Sequence, residues 1–372
     1  MKNRISPMRD RHEVVLIGPF PPPYGGISVH LNRLISYLKQ TKFNYILYNT
    51  FSESECEKSV ISVRKNRLLW YIKFAFFHRS QIVHLHSPNW IARLIFAIMA
   101  RLRSGKYIIS IQGRSISEAS KNSFSTRGRL TVWMLKQMDT IIACNDEIKK
   151  ECINRIGISK DKVHMVPAYI PPLPSDLKKP PANILDFIQS HSPVICATGW
   201  IGQKFNGDDI YGIDMLISLI DRLLPDFPGI GLILSVNGGE SADAINQTIA
   251  NAKSLVGDHI AFVTEQLDDI VGLYQECDLF CRPTNTDGDA VSIREAIHVG
   301  TPVVASDAAP RPVPCILFKS RDIVQFENVV RQVLGNLDFY RKKTTFSDYS
   351  NNAQKIIKLY TKLLMDGESC RC

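Results

Sequence analysis

Two series of short apolar runs alternate with helix-spaced segments along this chain, and a proline-dense stretch separates them. In the first series, Val14-Val15-Leu16-Ile17, then YILYN, IVHLH from 82, YIISIQG from 107 and TIIACN from 140 read as strands. Ile27, Leu31, Leu34, Ile35 and Leu38 mark a helix over 27–39, and further helices are expected at about 89–103 and 129–138. The second series runs PVICATG (193–199), a helix over 212–224, GLILSV (231–236), HIAFV (259–263), CDLFCRP (277–283), a helix over 291–299, TPVVAS (301–306) and ILF (316–318). This alternation builds an α/β fold in which helices cover both faces of a parallel sheet. Residues 163–182, VHMVPAYIPPLPSDLKKPPA, read as a stiff connector. The expectation is two Rossmann-like, doubly wound parallel-sheet domains facing each other across a cleft. They would span 1–170 and 191–345, with a linker over 171–190 and a helix at about 350–366 able to pack back on the first domain.

A length of 372 residues also favours two domains over one core. Apolar residues at 45% and charged residues at 22% exclude a disordered or fibrous chain. The net charge of +9 points to anionic partners, nucleotides and anionic membrane surfaces among them. Nucleic acid is set aside, because the basic residues are dispersed or interleaved with apolar ones and form no stripe. Nine cysteines without a CxxC pair read as free thiols in a reducing compartment. The basic start, MKNRISPMRDRHE, leads into VVLIGPF and prolines rather than a signal-peptide core, and no stretch is long and apolar enough to span a bilayer. A cytoplasmic protein is expected. Segments 64–79, RKNRLLWYIKFAFFHR, and 89–106, NWIARLIFAIMARLRSGK, read either as core helices with snorkelling Arg and Lys or as a surface that rests peripherally on anionic lipid.

In open parallel sheets, ligands sit beyond the carboxyl ends of the strands. GPFPPPYGGISVH (18–30) joins a strand to a helix there; its prolines stiffen the approach, and Gly25 and Gly26 let main chain come close to a phosphate or sugar oxygen at the helix N-terminus. An ordinary turn is the alternative. The richest stretch is DLFCRPTNTDGDAVSIREAIHVGTPVVASD (278–307). Asp287 and Glu295, eight residues apart, bracket a loop-to-helix junction in which the amides of Gly288, Asp289, Ala290 and Val291 are placed to hold a diphosphate while the carboxylates accept bonds from hydroxyls. Ser292-x-x-Glu295 also fits a capping box that merely closes the helix. His84 and His86 share a strand face and read as structural histidines or as donor or acceptor contacts; a metal pair would want a third ligand that the sequence does not offer. Asn145 and Asp146, after another strand, are edge-of-cleft candidates.

With these motifs in hand, the chain resembles the family 4 glycosyltransferases, retaining enzymes of GT-B fold. The run DGDAVSIREAIHVGTPVVAS matches the family's paired carboxylates and its following EA…G.PVVAS, and PPPYGG, HLH, IIACN and VPAYIPP resemble further landmarks in the same order, over about residues 13–320. The resemblance implies that Glu295 binds the nucleotide ribose, that Asp287, Asp where the family usually has Glu, holds the donor sugar, and that Gly25 and Gly26 approach the donor phosphates. It also implies no metal and no cofactor, the nucleotide-sugar being a substrate, with a glycan or lipid-linked oligosaccharide as acceptor. Trp200 and Tyr211 stand where the family carries the Arg and Lys that neutralise the leaving diphosphate. Lys204 is the preferred substitute, with Arg282 and Arg294 as the others. Gln112 replaces a family His as a neutral positioning group, and Arg114 and His86 are assigned to the acceptor. Two other readings stay open: a scaffold subunit that has kept the shape without the chemistry, and a nucleotide-sugar epimerase.

Overall fold

The computed structural model describes residues 13–21, 25–51, 59–63, 67–77, 80–87, 89–111, 125–265, 267, 269–288, 290–345 and 351–369. The chain forms two compact units, Met1–Leu173 with Asn351–Cys372, and Pro174–Ser350.

The first unit is built on a parallel sheet of β1 (Val14–Gly18), β2 (Tyr45–Asn49), β3 (Val60–Ser62), β4 (Ile82–Leu85), β5 (Lys106–Ile111), β6 (Thr140–Ala143) and β7 (Val163–Met165). Its order is β3-β2-β1-β4-β5-β6-β7, so the winding direction reverses between β1 and β4. Val15 and Ile17 enter one core with Phe74, Phe96 and Ile109, while Val14 and Leu16 enter the other with Leu31, Leu34 and Tyr360. Burial on both faces explains why these strands read as unbroken apolar runs. The helices are α1 (Gly26–Lys39), α2 (Arg67–Phe77), α3 (Trp90–Leu102), α4 (Thr126–Gln137) and α5 (Asp146–Lys150), the last prolonged by a π-helical turn, Glu151–Arg155. Asn145 accepts a bond from the Ile148 amide at 2.9 Å, so this strand-end candidate serves as an N-cap.

The second unit holds β8 (Val194–Ile201), β11 (Gly231–Gly239), β12 (Ile260–Val263), β13 (Leu279–Arg282), β14 (Val303–Ser306) and β15 (Ile316–Phe318), in the order β12-β11-β8-β13-β14-β15. All neighbours in it are parallel, and the order reverses at β8. A separate antiparallel hairpin pairs β9 (Lys204–Phe205) with β10 (Asp208–Asp209). Its turn is Asn206-Gly207, with φ of 53° and 90°, the double left-handed geometry that two-residue hairpins need. Around the sheet lie α6 (Ala182–Ser190), α7 (Ile213–Leu223), α8 (Ala242–Val256), α9 (Ile270–Glu276), α10 (Val291–His298), α11 (Ile323–Leu334) and α12 (Leu337–Thr345).

Two features correct the proline-linker reading. Val163–Met165 is an edge strand of the first sheet, and the expected linker over 171–190 contains α6, whose Ile184 is buried in the core of the second unit with Phe187 and Ile188 packed against it. Helical spacing of those three apolar residues outweighs the prolines just before them. The final helix, α13 (Asn352–Ser369), belongs to the first unit: Ala353, Ile356 and Tyr360 are buried in its core, and Asn352 Nδ2 donates to Tyr169 O at 2.7 Å. No helix of the described residues is long and apolar enough to cross a membrane.

Candidate active site

In the second unit, β13 ends at Arg282 and α10 begins at Val291, and the turn between them carries most of the polar chemistry. The N-cap is Ala290, which has no side-chain oxygen for the first-turn amides. Ser292 therefore lies inside the helix, and the capping-box reading of Ser292 and Glu295 does not hold. At Gly288 no atom of the described residues lies within 4 Å of where a Cβ would stand. Asp289 lies outside the described residues.

Asp287 is the hub. Its Oδ2 accepts from Arg311 Nη1 at 2.8 Å, Arg282 Nε at 3.2 Å and Thr284 Oγ1 at 3.3 Å, and its Oδ1 accepts from the Gly288 amide at 2.9 Å and Arg282 Nη2 at 3.5 Å. Burial pushes this carboxyl up, but the charges and hydrogen bonds of Arg282 and Arg311 prevail and hold it below the usual aspartate value. Arg282 also donates through Nη1 to Thr198 O and Oγ1, at 3.3 and 3.1 Å, and lies 5.1 Å over the Tyr211 ring. Tyr211, standing where the family has a cation, thus supports one. Gly212, at φ +67°, lets the start of α7 press against this turn, since a Cβ there would sit 2.3 Å from Pro283 O.

Arg311 is a site residue that the sequence motifs do not single out. Its side chain is 1% exposed, and besides Asp287 it donates to Ser306 O at 3.0 Å and Thr284 Oγ1 at 2.8 Å. The available signal was slight: a lone Arg between Pro310 and Pro312, in a stiff segment after β14. Glu295 is 4% exposed on α10, close to Tyr274, whose phenol is pushed well up by burial and by that carboxylate. Tyr274 is in turn hydrogen-bonded to Thr198, so a chain of polar contacts runs from beside Glu295 to Arg282.

Other expected cations fall elsewhere. Lys204 is exposed on β9, in a hairpin fastened to the turn by Asn285 Nδ2, which donates to Phe205 O at 3.1 Å and Asp208 O at 3.4 Å. The structure brings Arg282 and Arg311, and not Lys204, to Asp287. Arg294 on α10 is near enough to Cys315 to act on its thiol, which burial pushes up to about 12 against the pull of Arg311 and Arg294. Trp200 lies across the bare backbone of Gly238.

In the first unit, Gly25 is the N-cap of α1, and its amide donates to Ser28 Oγ at 2.8 Å. Among the described residues, neither Gly25 nor Gly26 is forced by packing: a Cβ at Gly26 would meet none of them within 4 Å, and one at Gly25 only Ser28 Oγ at 3.9 Å. Gln112 and Arg114 lie outside the described residues. His84 and His86, at the end of β4, have ring centroids 3.9 Å apart, and His30 of α1 lies 5.3 Å from His86. His84 is bonded to Tyr360 OH at 2.6 Å and Ser110 Oγ at 2.8 Å. His30 Nδ1 donates to Ala168 O at 2.5 Å, while His30 Nε2 and both His86 nitrogens have no hydrogen-bond partner among the described residues. Each such buried atom costs about 1–3 kcal/mol. Burial lowers all three pKa values, that of His30 to about 4, so the cluster is neutral at pH 7. Among the described residues, no group of three or more His, Cys, Asp or Glu is placed to hold a metal ion.

Two family models match the chain. One, Glycosyltransferase Family 4, covers residues 9–172, and the other, Glycosyl transferases group 1, covers 193–336. No curated protein matches. Among solved structures, a glycosyltransferase from Rickettsia africae is 14% identical, with a TM-score of 0.66 over 95% of this chain and 99% of that one. HepE from Anabaena in complex with UDP is 13% identical, with a TM-score of 0.63 over 96% and 98%. WaaG, a glycosyltransferase involved in lipopolysaccharide biosynthesis, is 14% identical, with a TM-score of 0.64 over 94% and 99%. At these identities the likeness establishes the fold.

Proposed function

The chain belongs to the family 4 glycosyltransferases and has their GT-B fold, and from that premise we propose that it transfers a sugar, with retention, from a nucleotide-sugar to a hydroxyl of a growing, lipid-linked cell-surface glycan. The observation that carries this reading is the β13–α10 turn, where Asp287 and the buried Glu295 bracket an uncapped helix start. An uncapped N-terminus offers amides and partial positive charge to a diphosphate, and Glu295 is a hydroxyl acceptor for ribose. Anabaena HepE has been solved with UDP and with UDP-glucose, which makes uridine nucleotides the first donors to try.

In the proposed reaction, the bond from the anomeric carbon to the diphosphate oxygen breaks as a bond to the acceptor oxygen forms on the same face. The acceptor proton passes to a phosphate oxygen. Arg282 takes the role first given to Lys204, the cation for the leaving group; four of its five N–H donors have partners among the described residues, and the remaining one is free to meet phosphate. Arg311 is a positioning residue that fixes Asp287, and Asp287 in turn orients Arg282. Fixed charge in a water-poor site is worth about 3 kcal/mol or more per donor, and the charge of the diphosphate is met here by side chains and amides without a metal. Glu295→Ala should abolish transfer and leave the unfolding midpoint within a few degrees; an active variant would remove the central assignment.

The lipid-linked acceptor and attachment to the cytoplasmic membrane are supported by α2 and α3. Of α2 only Tyr71 and Phe74 are buried, while Leu68, Leu69, Ile72, Phe76 and Phe77 are exposed, so the helix is not simply core. Trp90, Ile98 and Leu102 are exposed on α3, and Arg103 Nη2 joins the ends of the two helices by donating to Ala75 O and Phe76 O at 2.8 and 3.1 Å. Arg67, Lys73 and Arg101 are exposed among these apolar side chains, and neither helix contains an acidic residue. Such a mixture suits anionic headgroups over acyl chains.

A further inference from the structure

Trp200 is the last residue but one of β8, the strand at which the order of the second sheet reverses. Along β8 the side chains divide between two cores: Ile195, Ala197 and Ile201 enter one, while Val194 and Cys196 enter the other with Tyr274 of α9 and Ile293 and Ala296 of α10. Strand alternation therefore puts Thr198 and Trp200 on the side of the sheet that carries α9 and α10. Thr198 Oγ1 accepts from Arg282 Nη1 at 3.1 Å and is hydrogen-bonded to the Tyr274 phenol. Trp200 stands two residues, about 6.6 Å, beyond Thr198, toward the carboxyl edge where parallel sheets take their ligands. The six-membered part of its indole lies against Gly238 of β11, at φ +150°, where a Cβ would stand 2.6 Å from Cζ3 and 2.7 Å from Cη2. Bare main chain thus supports the ring, and the residue is only half-buried.

We propose that Trp200 is a stacking platform for the nucleobase of the donor; this rests on the glycosyl-transfer reading above. The ligand class follows from what an indole offers. It has no charge for a phosphate and a single N–H to donate, so most of its surface suits a partner with a flat π face. The place of the ring selects the same part of a nucleotide. Asp287, Arg282 and the α10 amides gather at the end of β13, whereas Trp200 leans the other way, over β11, two strand spacings or about 10 Å from β13. Glu295, assigned to ribose, lies near Tyr274, which bonds Thr198 on the strand between. A nucleotide laid out from the start of α10 therefore passes Glu295 before its base reaches the indole. Every base has a π face, so this platform contributes affinity without choosing the base.

The test uses the full chain with its four tryptophans replaced by 5-fluorotryptophan, the Trp200 fluorine resonance being the one lost in Trp200→Phe. UDP, GDP, ADP and CMP are the nucleotide probes, inorganic pyrophosphate supplies the anion alone, and UDP-glucose adds a donor sugar. The expected result is a saturable shift of the Trp200 resonance with at least one nucleotide and none with pyrophosphate, because the ring current of a stacked base reaches the fluorine. Trp200→Ala should weaken affinity for that nucleotide at least about fivefold, the low end for loss of a base–aromatic stack, and Trp200→Phe should hold it within about threefold. The phenylalanine variant keeps a π face and carries the affinity measurement if the alanine variant does not fold, an affinity loss beyond threefold then counting against the stack. A Trp200 resonance equally responsive to pyrophosphate, or responsive to UDP-glucose and to no nucleotide, would overturn the base assignment, as would an unchanged affinity in Trp200→Ala. Thermal unfolding of the same samples separates the two readings: a midpoint raised by a nucleotide while the Trp200 resonance stays still overturns the platform alone, and a midpoint that no nucleotide raises overturns the donor site with it.

Discussion

Asp287 carries two guanidinium groups on one carboxylate, so its neighbours decide what it can do. Breaking a buried ion pair costs about 3–5 kcal/mol; since Arg282 remains, Arg311→Met should fall at the low end, seen as an earlier urea midpoint, with transfer reduced at least tenfold. Arg311→Lys should recover part of the stability and little of the rate, because a lysine cannot reproduce the fork that reaches Asp287, Thr284 and Ser306. The histidines make a pH prediction. Their folded pKa values lie below the ordinary 6.5, that of His30 at about 4. Between those values the unfolded chain binds more protons, so stability is fully present above about 6.5 and is lost as pH falls toward 4. Calorimetry across that window should show the midpoint falling, and less steeply in His86→Leu. Asp287 and Glu295 were legible because their spacing brackets a helix start. Arg311 was not, since contacts across 24 residues leave no local pattern.

Gly212 joins two elements at one point, the start of α7 and the end of β13. With φ at +67° and Pro283 O at 2.3 Å from a would-be Cβ, Gly212→Ala combines backbone strain of about 1–2 kcal/mol with a clash against main chain. Denaturant unfolding should show a loss above about 2 kcal/mol, and nucleotide affinity should fall with it because the displaced turn carries Asp287. The long buried strands were readable as apolar runs, and ILF (316–318) is β15 to the residue. Short elements were not: β7 hides in a proline-rich stretch where three residues bond to β6, and the two-residue strands β9 and β10 are too short to show any alternation, although Asn206-Gly207 between them carries a turn signal. Edge strands this short owe their existence to the partner strand rather than to their own sequence.

On the scale of the whole molecule, the two parallel sheets and the family followed from alternation and motif order, whereas the units themselves interleave in sequence because α13 returns to the first. Amphipathicity alone does not say which core a terminal helix will cover. The same scale governs membrane attachment. Vesicles with anionic headgroups should bind the protein and neutral vesicles should not, with binding weakened by salt as charges are screened. Phe76→Asp with Leu102→Asp, at side chains 69% and 73% exposed, should cut binding about tenfold and leave the unfolding midpoint unchanged. The most direct test of the central claim, a nucleotide-diphosphate site between Asp287 and Glu295, is thermal unfolding of the full chain against UDP, GDP, ADP and CMP, with EDTA and then with Mg²⁺. A ligand at a hundred times its dissociation constant adds about 2.7 kcal/mol, enough to raise the midpoint by a few degrees. The account predicts a rise with one nucleotide that survives EDTA and disappears in Glu295→Ala. No rise with any nucleotide, or one that Glu295→Ala leaves intact, would contradict it.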